Sequence, residues 1–307
     1  MTWRVFSAEP DALGESPFWH PGERCLYWID IDACAIHRAD ETGARERWIV
    51  PQNPGCIAPA AGGGLVLALR DGIYRAQTWG GPLRRLIAAP YDVTHTRFND
   101  GKCDPLGRFW AGTMFEPRTA PSAALYAFDG RAGHAPTLQE MAAQATISNG
   151  LAWSPDRRTV YWADTPAHAV RCWDWDAAAN RLSRPRVFHQ FAPKPVSWRF
   201  GPGSFERYRG RPDGAAVDAE GHYWVAMMEG QRLCKIAPDG RVLAEVRTPV
   251  LRPTMPCFGG PDLRTLYLTT LRPAAGAADL AAQPEAGCVF AMEVDTPGLP
   301  VNFFEDN

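Results

Sequence analysis

The chain has 307 residues, 46% hydrophobic and 21% charged, with a formal net charge of −2. That composition supports a full core and excludes a disordered chain, and the small charge leaves no basic footprint for nucleic acid or an acidic membrane surface. No run approaches the roughly 18 apolar residues of a membrane span, and Met1–Ser7 lacks the basic-then-apolar order of a signal peptide, so a cytoplasmic protein is expected.

Gly and Pro, 28 of each, fall singly between short β-prone runs and act as turn punctuation. Six such runs recur, Leu26–Asp30, Leu65–Leu69, Arg108–Gly112, Val160–Asp164, His222–Ala226 and Leu266–Thr270. They lie roughly 40–60 residues apart, the period of propeller blades. Most are followed by a third alternating strand, such as Gly72–Arg75 or Leu233–Ile236, and some by a fourth, Ala44–Val50, Leu83–Ala88 and Arg241–Val246. The pattern predicts an all-β fold, a six-bladed β-propeller with residues 1–307 as one domain. Two segments compete to close the ring beside Val289–Val294: Trp3–Ser7 and the tail Val301–Phe304. After the fourth unit comes a long connection, Arg184–Arg211, with Lys194, Arg199, Arg207, Arg209 and Arg211 among Phe191, Trp198, Phe200, Phe205 and Tyr208. It reads as a solvated excursion or a partial lid. The eight cysteines have no CxxC spacing and read as buried free thiols.

The first strand of each blade lines the central channel, so residues that start those strands share one opening. Four of them can offer a side-chain oxygen: Glu15, Asn99, Asn149 and Asp213. Glu15 to Trp28 and Asn149 to Trp162 span thirteen steps, while Asn99 to Trp110 and Asp213 to Trp224 span eleven. A hairpin shorter by two residues accounts for the difference and keeps the side-chain face. Singly, Asn or Asp before Gly is an ordinary turn residue; four in matched register, one of them a Glu, are a stronger pattern. Two carboxylates and two amide carbonyls suit one hard divalent cation in the channel, Ca²⁺ first by ligand type, with Mn²⁺, Mg²⁺, Fe²⁺ and Zn²⁺ as alternatives. Arg97, two residues before Asn99, points to the same side. His20 and His95 stand near strand starts and read as packing or mouth residues, and Ser148 lacks the Gly-x-Ser-x-Gly elbow of a serine hydrolase. His134 carries no recognisable metal spacing.

The blocks Leu13-Gly14-Glu15-Ser16-Pro17, Arg97-Phe98-Asn99-Asp100-Gly101-Lys102, Gly112-Thr113-Met114, Ser148-Asn149-Gly150-Leu151-Ala152-Trp153 and Pro212-Asp213-Gly214 resemble the signature blocks of the senescence-marker-protein-30/gluconolactonase/luciferin-regenerating-enzyme-like family. Pro256–Asp262 and Leu266–Thr270 are similar to its closing block. The resemblance implies a six-bladed propeller with one catalytic divalent metal, held by Glu15, Asn149 and Asp213. Arg97 and Asn99 fall on its substrate-binding pair, and Asp213 on its proton-transfer residue. The family's further acidic contact follows Gly-Thr-Met; here Phe115-Glu116-Pro117 aligns only to within a residue, which leaves Glu116 outside the set. The implied activity is metal-dependent opening of a sugar lactone, such as a glucono-, xylono- or arabinonolactone, to the aldonic acid. The partner is then a small-molecule lactone, with the chain a monomer or weak homo-oligomer. Two alternatives are a promiscuous esterase or phosphotriesterase on the same scaffold, and a non-catalytic propeller that binds a sugar acid or metal and regulates.

Overall fold

In a computed structural model of the chain, residues 2–133, 135–199, 201, 203–273 and 277–306 are described; His134 and Phe200 lie outside them. Strand β1 (Arg4–Ser7) comes first. The first blade is β2 (Gly14–His20), β3 (Cys25–Asp30), β4 (Ala35–Asp40) and β5 (Arg45–Ile49). The second is β6 (Pro54–Pro59), β7 (Leu65–Leu69), β8 (Gly72–Ala76) and β9 (Arg84–Ala88), and the third β10 (Thr96–Cys103), β11 (Phe109–Phe115), β12 (Ala123–Asp129) and β13 (Thr137–Ala145). The fourth is β14 (Ser148–Trp153), β15 (Thr159–Asp164), β16 (Ala169–Asp176) and β17 (Arg181–Gln190), followed by a short helix α1 (Ser204–Arg207). The fifth is β18 (Arg211–Val217), β19 (Tyr223–Met228), β20 (Arg232–Ile236) and β21 (Val242–Arg247). In the sixth, β22 (Pro253–Gly259) and β23 (Thr265–Thr270) precede helix α2 (Ala277–Ala282) and β24 (Val289–Glu293). Each blade is a four-stranded antiparallel sheet, and the sixth takes β1 as its outer strand. The six-bladed all-β propeller expected from the strand spacing is what forms.

Apolar side chains of neighbouring blades interdigitate between the sheets. Trp28, Trp110, Trp162 and Trp224 are among the largest fully buried side chains. Trp110 and Trp224 donate their indole N–H to Asp104 and Asp218, each at 2.9 Å, in the turns between first and second strands. Trp28 and Trp162 donate instead to Asp11 at 2.8 Å and to the Ser148 hydroxyl at 2.5 Å, at the other end of their blades. The tryptophans therefore stand at two levels, and the two-step difference in spacing reflects that offset rather than a shorter hairpin.

All six inner strands carry an extra residue at the same height. Glu15 faces Ile29, yet Phe18 faces Tyr27. The same one-residue slip follows Pro54, Phe98, Asn149, Pro212 and Pro253. Such bulges bend a strand and re-aim its side chains. Two glycines at the slips are demanded by the packing of one blade's inner strand against the next blade. A Cβ on Gly150, whose φ is +59°, would lie 2.2 Å from the Tyr223 hydroxyl, and one on Gly214 would lie 2.4 Å from Met255 Cβ. The Asn-Gly and Asp-Gly pairs of the sequence are thus channel-packing features, not reverse turns.

Two expectations about the connections change. Residues 184–190 belong to β17, because Arg186 and Val187 pair with Cys172 and Arg171, so the long connection runs only from 191 to 210. The ring is closed by β1, while the tail goes to the opposite end, where Phe304 is fully buried against Phe128 and bridges Ala60. The eight cysteines are free thiols, six of them buried. No helix of the described residues is long and apolar enough to cross a membrane.

Closure by β1 has a measurable consequence. Phe6 is 7% exposed and meets Tyr267 edge-on at 4.9 Å, whereas Val5 is 37% exposed. Phe6→Ala is expected to cost about 3 kcal/mol in urea unfolding, as for other buried aromatic truncations. Val5→Ala is expected to cost about 0.5 kcal/mol or less. Equal effects at the two sites would contradict the closure.

Candidate active site at the channel mouth

One end of the propeller gathers the starts of the inner strands, the incoming connections from preceding blades, and the turns between second and third strands. Glu15 and Asn149 hold equivalent places there, each the last paired residue before the slip in its strand. Each is followed by a residue with positive φ, Ser16 at 49° and Gly150 at 59°. Ser16 tolerates this costly conformation while its N–H donates to Glu15 Oε2 at 3.1 Å and its hydroxyl accepts from the Ile57 N–H at 3.0 Å. Asn99 and Asp213 stand one residue deeper, as the first residues inside their slips.

A chain of hydrogen bonds stitches blades three, four and five together. Arg97 donates to Asn99 Oδ1 at 2.8 Å, and Asn99 Nδ2 donates to Asn149 Oδ1 at 3.0 Å. Asn149 Nδ2 donates to Thr165 Oγ1 at 2.8 Å, and that hydroxyl donates to the Pro212 carbonyl at 2.7 Å, the residue before Asp213. The sequence-expected Arg97, Asn99 and Asn149 are thus in direct contact. Both amide oxygens keep a second lone pair for a further partner.

Glu15 and Asp213 are buried, and each feels the other or a shared neighbour. Burial, then repulsion from Asp213 and Asp100, pushes the Glu15 carboxyl well above its ordinary range. Burial pushes Asp213 from its ordinary 3.8 to about 8; Arg211 opposes the rise and Asp100 adds to it. Asp100 itself is raised by burial against the pull of Lys102. Its Oδ2 accepts from the Leu151 N–H at 3.0 Å, but its Oδ1 is buried without a hydrogen-bond partner. Lys102, its ammonium donating to the Ala215 carbonyl, is pushed down by burial. Three buried carboxyls that repel one another, one with an orphaned oxygen, are stable together only with protons or a cation. The donor set of Glu15, Asn149 and Asp213 therefore fits a divalent ion, all oxygen and partly anionic.

Elsewhere, a buried trio of Asp11, Asp30 and His37 has its potential ligand atoms within 4.8 Å of one another. There a guanidinium already fills the cation's place, since Arg45 lies 2.5 Å from Asp11 Oδ1. Asp30 is spent on the N–H groups of Ala12, Leu13 and Ala33 at 2.8–3.1 Å. That cluster braces the first blade. A cavity of about 210 Å³ lies toward the opposite end of the channel, lined by residues such as Phe18, Trp153, Phe258 and Val301. Its walls are mainly apolar and it holds none of the four candidate oxygens.

Other mouth residues were hidden in the sequence. Glu116 makes a two-pronged ion pair with Arg70, both contacts at 2.9 Å, and lies 3.7 Å from Arg97 Nε. Asp100 lies within the slip of β10, while Lys102, just past it, lines the cavity below the mouth. His20 and His95 are not in the mouth's bonded network: His20 accepts from the Glu23 N–H at the far turn, and His95 is exposed beside Thr94. His168 bonds the hydroxyl of Tyr208, a residue of the 191–210 connection, at 2.6 Å. That connection has a small core of Trp198, Tyr208 and Leu251, with the Lys194 ammonium 4.4 Å from the Trp198 ring centroid.

The sequence model described as the SMP-30/Gluconolactonase/LRE-like region matches residues 13–272. The chain is 42% identical over 304 residues to a 6-deoxy-6-sulfogluconolactonase of Pseudomonas putida, covering 99% of this chain and 98% of that one. It is 35% identical to regucalcin of Danio rerio, covering 95% and 94%. A solved calcium-binding protein, regucalcin from Agrobacterium tumefaciens, superposes with a TM-score of 0.88 at 24% identity over 99% and 97% of the two chains. With the family model spanning most of the chain and relatives matching it end to end, the protein belongs to the SMP-30/gluconolactonase/LRE-like family.

Proposed function

We propose that the protein is a metal-dependent lactonase that opens an aldonolactone to the free sugar acid. The observations that support this reading are the burial of Glu15, Asn149 and Asp213, the mutual repulsion of the Glu15 and Asp213 carboxyls, and the hydrogen bonds that run from Arg97 through Asn99 to Asn149. Glu15, Asn149 and Asp213 would hold the divalent cation, with Ca²⁺ the first candidate for an all-oxygen set. Bound there, the ion supplies Lewis-acid polarisation of the lactone carbonyl.

The side chains carry the remaining steps. Arg97 and Asn99 orient the sugar hydroxyls, held by their mutual hydrogen bond so that little freedom is lost on binding. Asp213 takes a proton from the attacking water and hands it to the leaving ring oxygen. The Arg211 charge favours the ionised form that can do so. The 42%-identical relative is named for 6-deoxy-6-sulfogluconolactone, which makes six-carbon lactones the first substrates to assay.

Asp213→Asn is expected to lower lactone turnover at least about 10²-fold, the usual scale for a lost general base, with an unchanged far-UV CD spectrum. Acid release in a pH-stat measures the effect. Wild-type turnover in protein stripped to negligible metal content would overturn the mechanism.

A second expectation concerns the protein without metal. The folded chain keeps the Asp213 proton up to about pH 8, whereas the unfolded chain loses it near 3.8. The folded state therefore binds more protons between these limits, and stability falls as pH rises through them. Urea midpoints of metal-free protein should drop between about pH 5 and about pH 8, and Asp213→Asn should flatten the drop. A wild-type midpoint that climbs over this interval would contradict burial as the cause of the shift.

A further inference from the structure

The inner strands of blades one, three, four and five carry two kinds of residue just above the slip. In blades one and four, Gly14 faces Asp30 and Ser148 faces Asp164. These aspartates are spent on backbone: Asp30 on the N–H groups of Ala12 and Leu13, Asp164 on those of Thr146 and Ile147. In blades three and five the corresponding pairs are Arg97 with Met114 and Arg211 with Met228. Arg211 is therefore the register twin of Arg97. It stands two residues before Asp213 as Arg97 stands two before Asn99, and its charge reaches the Asp213 carboxyl.

The twins differ in how fully they are used. Arg97 is 7% exposed and donates to the Phe98 carbonyl and to Asn99. Arg211 is 27% exposed at the side chain, its Nε is buried with no hydrogen-bond partner, and its nearest anion is Glu229 Oε2 at 3.5 Å. Glu229 is already engaged on both oxygens by the Lys194 ammonium, at 2.8 and 2.9 Å. Two cations thus share the Glu229 carboxylate at the rim. The backbone fixes their placement: Gly210, at φ +86°, passes so close to Gly230 that a Cβ would lie 2.7 Å from its Cα. A buried guanidinium N–H without an acceptor is costly unless something else supplies one.

We propose that Arg211, with Lys194 behind it, is a specificity-determining residue that binds a negatively charged group on the lactone. The substrate is then a sugar lactone bearing a carboxylate, sulfonate or phosphate away from the ring carbonyl. Planar, forked N–H donors suit such oxyanions. The inference rests on the lactonase reading and narrows its substrate class.

The test uses the full chain, loaded with metal, and compares kcat/KM for glucono-δ-lactone with that for its 6-phospho, 6-deoxy-6-sulfo and 6-carboxylate counterparts. Wild-type protein should favour at least one anionic lactone about 10-fold or more, the scale of a charge-assisted hydrogen bond. Arg211→Gln removes charge beside Asp213 and so lowers turnover of every substrate; the diagnostic quantity is the anionic-to-neutral ratio, which should fall about 10-fold, mainly through KM. Arg211→Lys should restore part of that ratio. Which anionic lactone is favoured identifies the oxyanion. An anionic-to-neutral ratio near one in the wild type, or one unchanged in Arg211→Gln, overturns the assignment while leaving lactonase activity standing. Failure to open any of the four lactones overturns the lactonase reading itself, and the assignment with it.

Discussion

The register slip in every inner strand is the constraint from which the mouth follows, because an unbroken antiparallel ladder alternates faces strictly and fixes which side chains can meet. Glu15 and Asn149 lie just before the slip, and Asn99 and Asp213 lie within it. A one-residue offset would ordinarily send the second pair to the opposite face. The bulge absorbs it, so Asn99 still bonds Asn149 and Asp213 still acts on Glu15. The same device brings Asp100 into the electrostatic field of both carboxylates. What looks like a defect repeated six times is the means by which six similar blades aim dissimilar residues at one axis.

That aim is purchased against stability. Glu15, Asp100 and Asp213 are each pushed toward the protonated form, first by burial. Elsewhere the fold treats buried carboxylates differently: Asp104 and Asp218 are each fully satisfied by an indole N–H and turn amides. The contrast separates two uses of the same residue type. Turn aspartates are surrounded by donors and hold the blades; mouth carboxylates are under-supplied with donors, and one oxygen of Asp100 has none. A stability-optimised channel would replace them with apolar groups, as it does in the cavity lined by Phe18, Trp153 and Phe258.

The blade count, the strand order and the four converging oxygens were legible because they depend on local periodicity, which a sequence displays directly. Matching Trp28 with Trp110 misjudged their level, since two tryptophans reach for Asp11 and Ser148 and two for turn aspartates. No spacing rule records which end of a strand an indole serves. The length of the 191–210 connection was overstated because Arg184, Arg186 and Pro185 look like loop residues, while β16 recruits them as a polar outer strand. Glu116 was set aside on alignment, and only three dimensions show it bridging Arg70 and Arg97. Long-range ion pairs and bulge geometry leave little local signature.

The two classes of blade also explain why a repeated scaffold can have a one-sided chemistry. Blades one and four spend their mouth aspartates on backbone N–H groups, which makes them rigid carriers for Glu15 and Asn149. Blades three and five place an arginine at the same height, and each arginine neighbours a glutamate shared with a second cation, Arg70 beside Glu116 and Lys194 beside Glu229. The rim is therefore cationic at blades three and five, and blade five carries both kinds of group, with Arg211 two residues before Asp213 on β18. Exchanging Arg97 or Arg211 for a residue of the Gly14 or Ser148 type would keep the propeller and erase that charge, because the β-sheet hydrogen bonds at those positions are made by backbone alone.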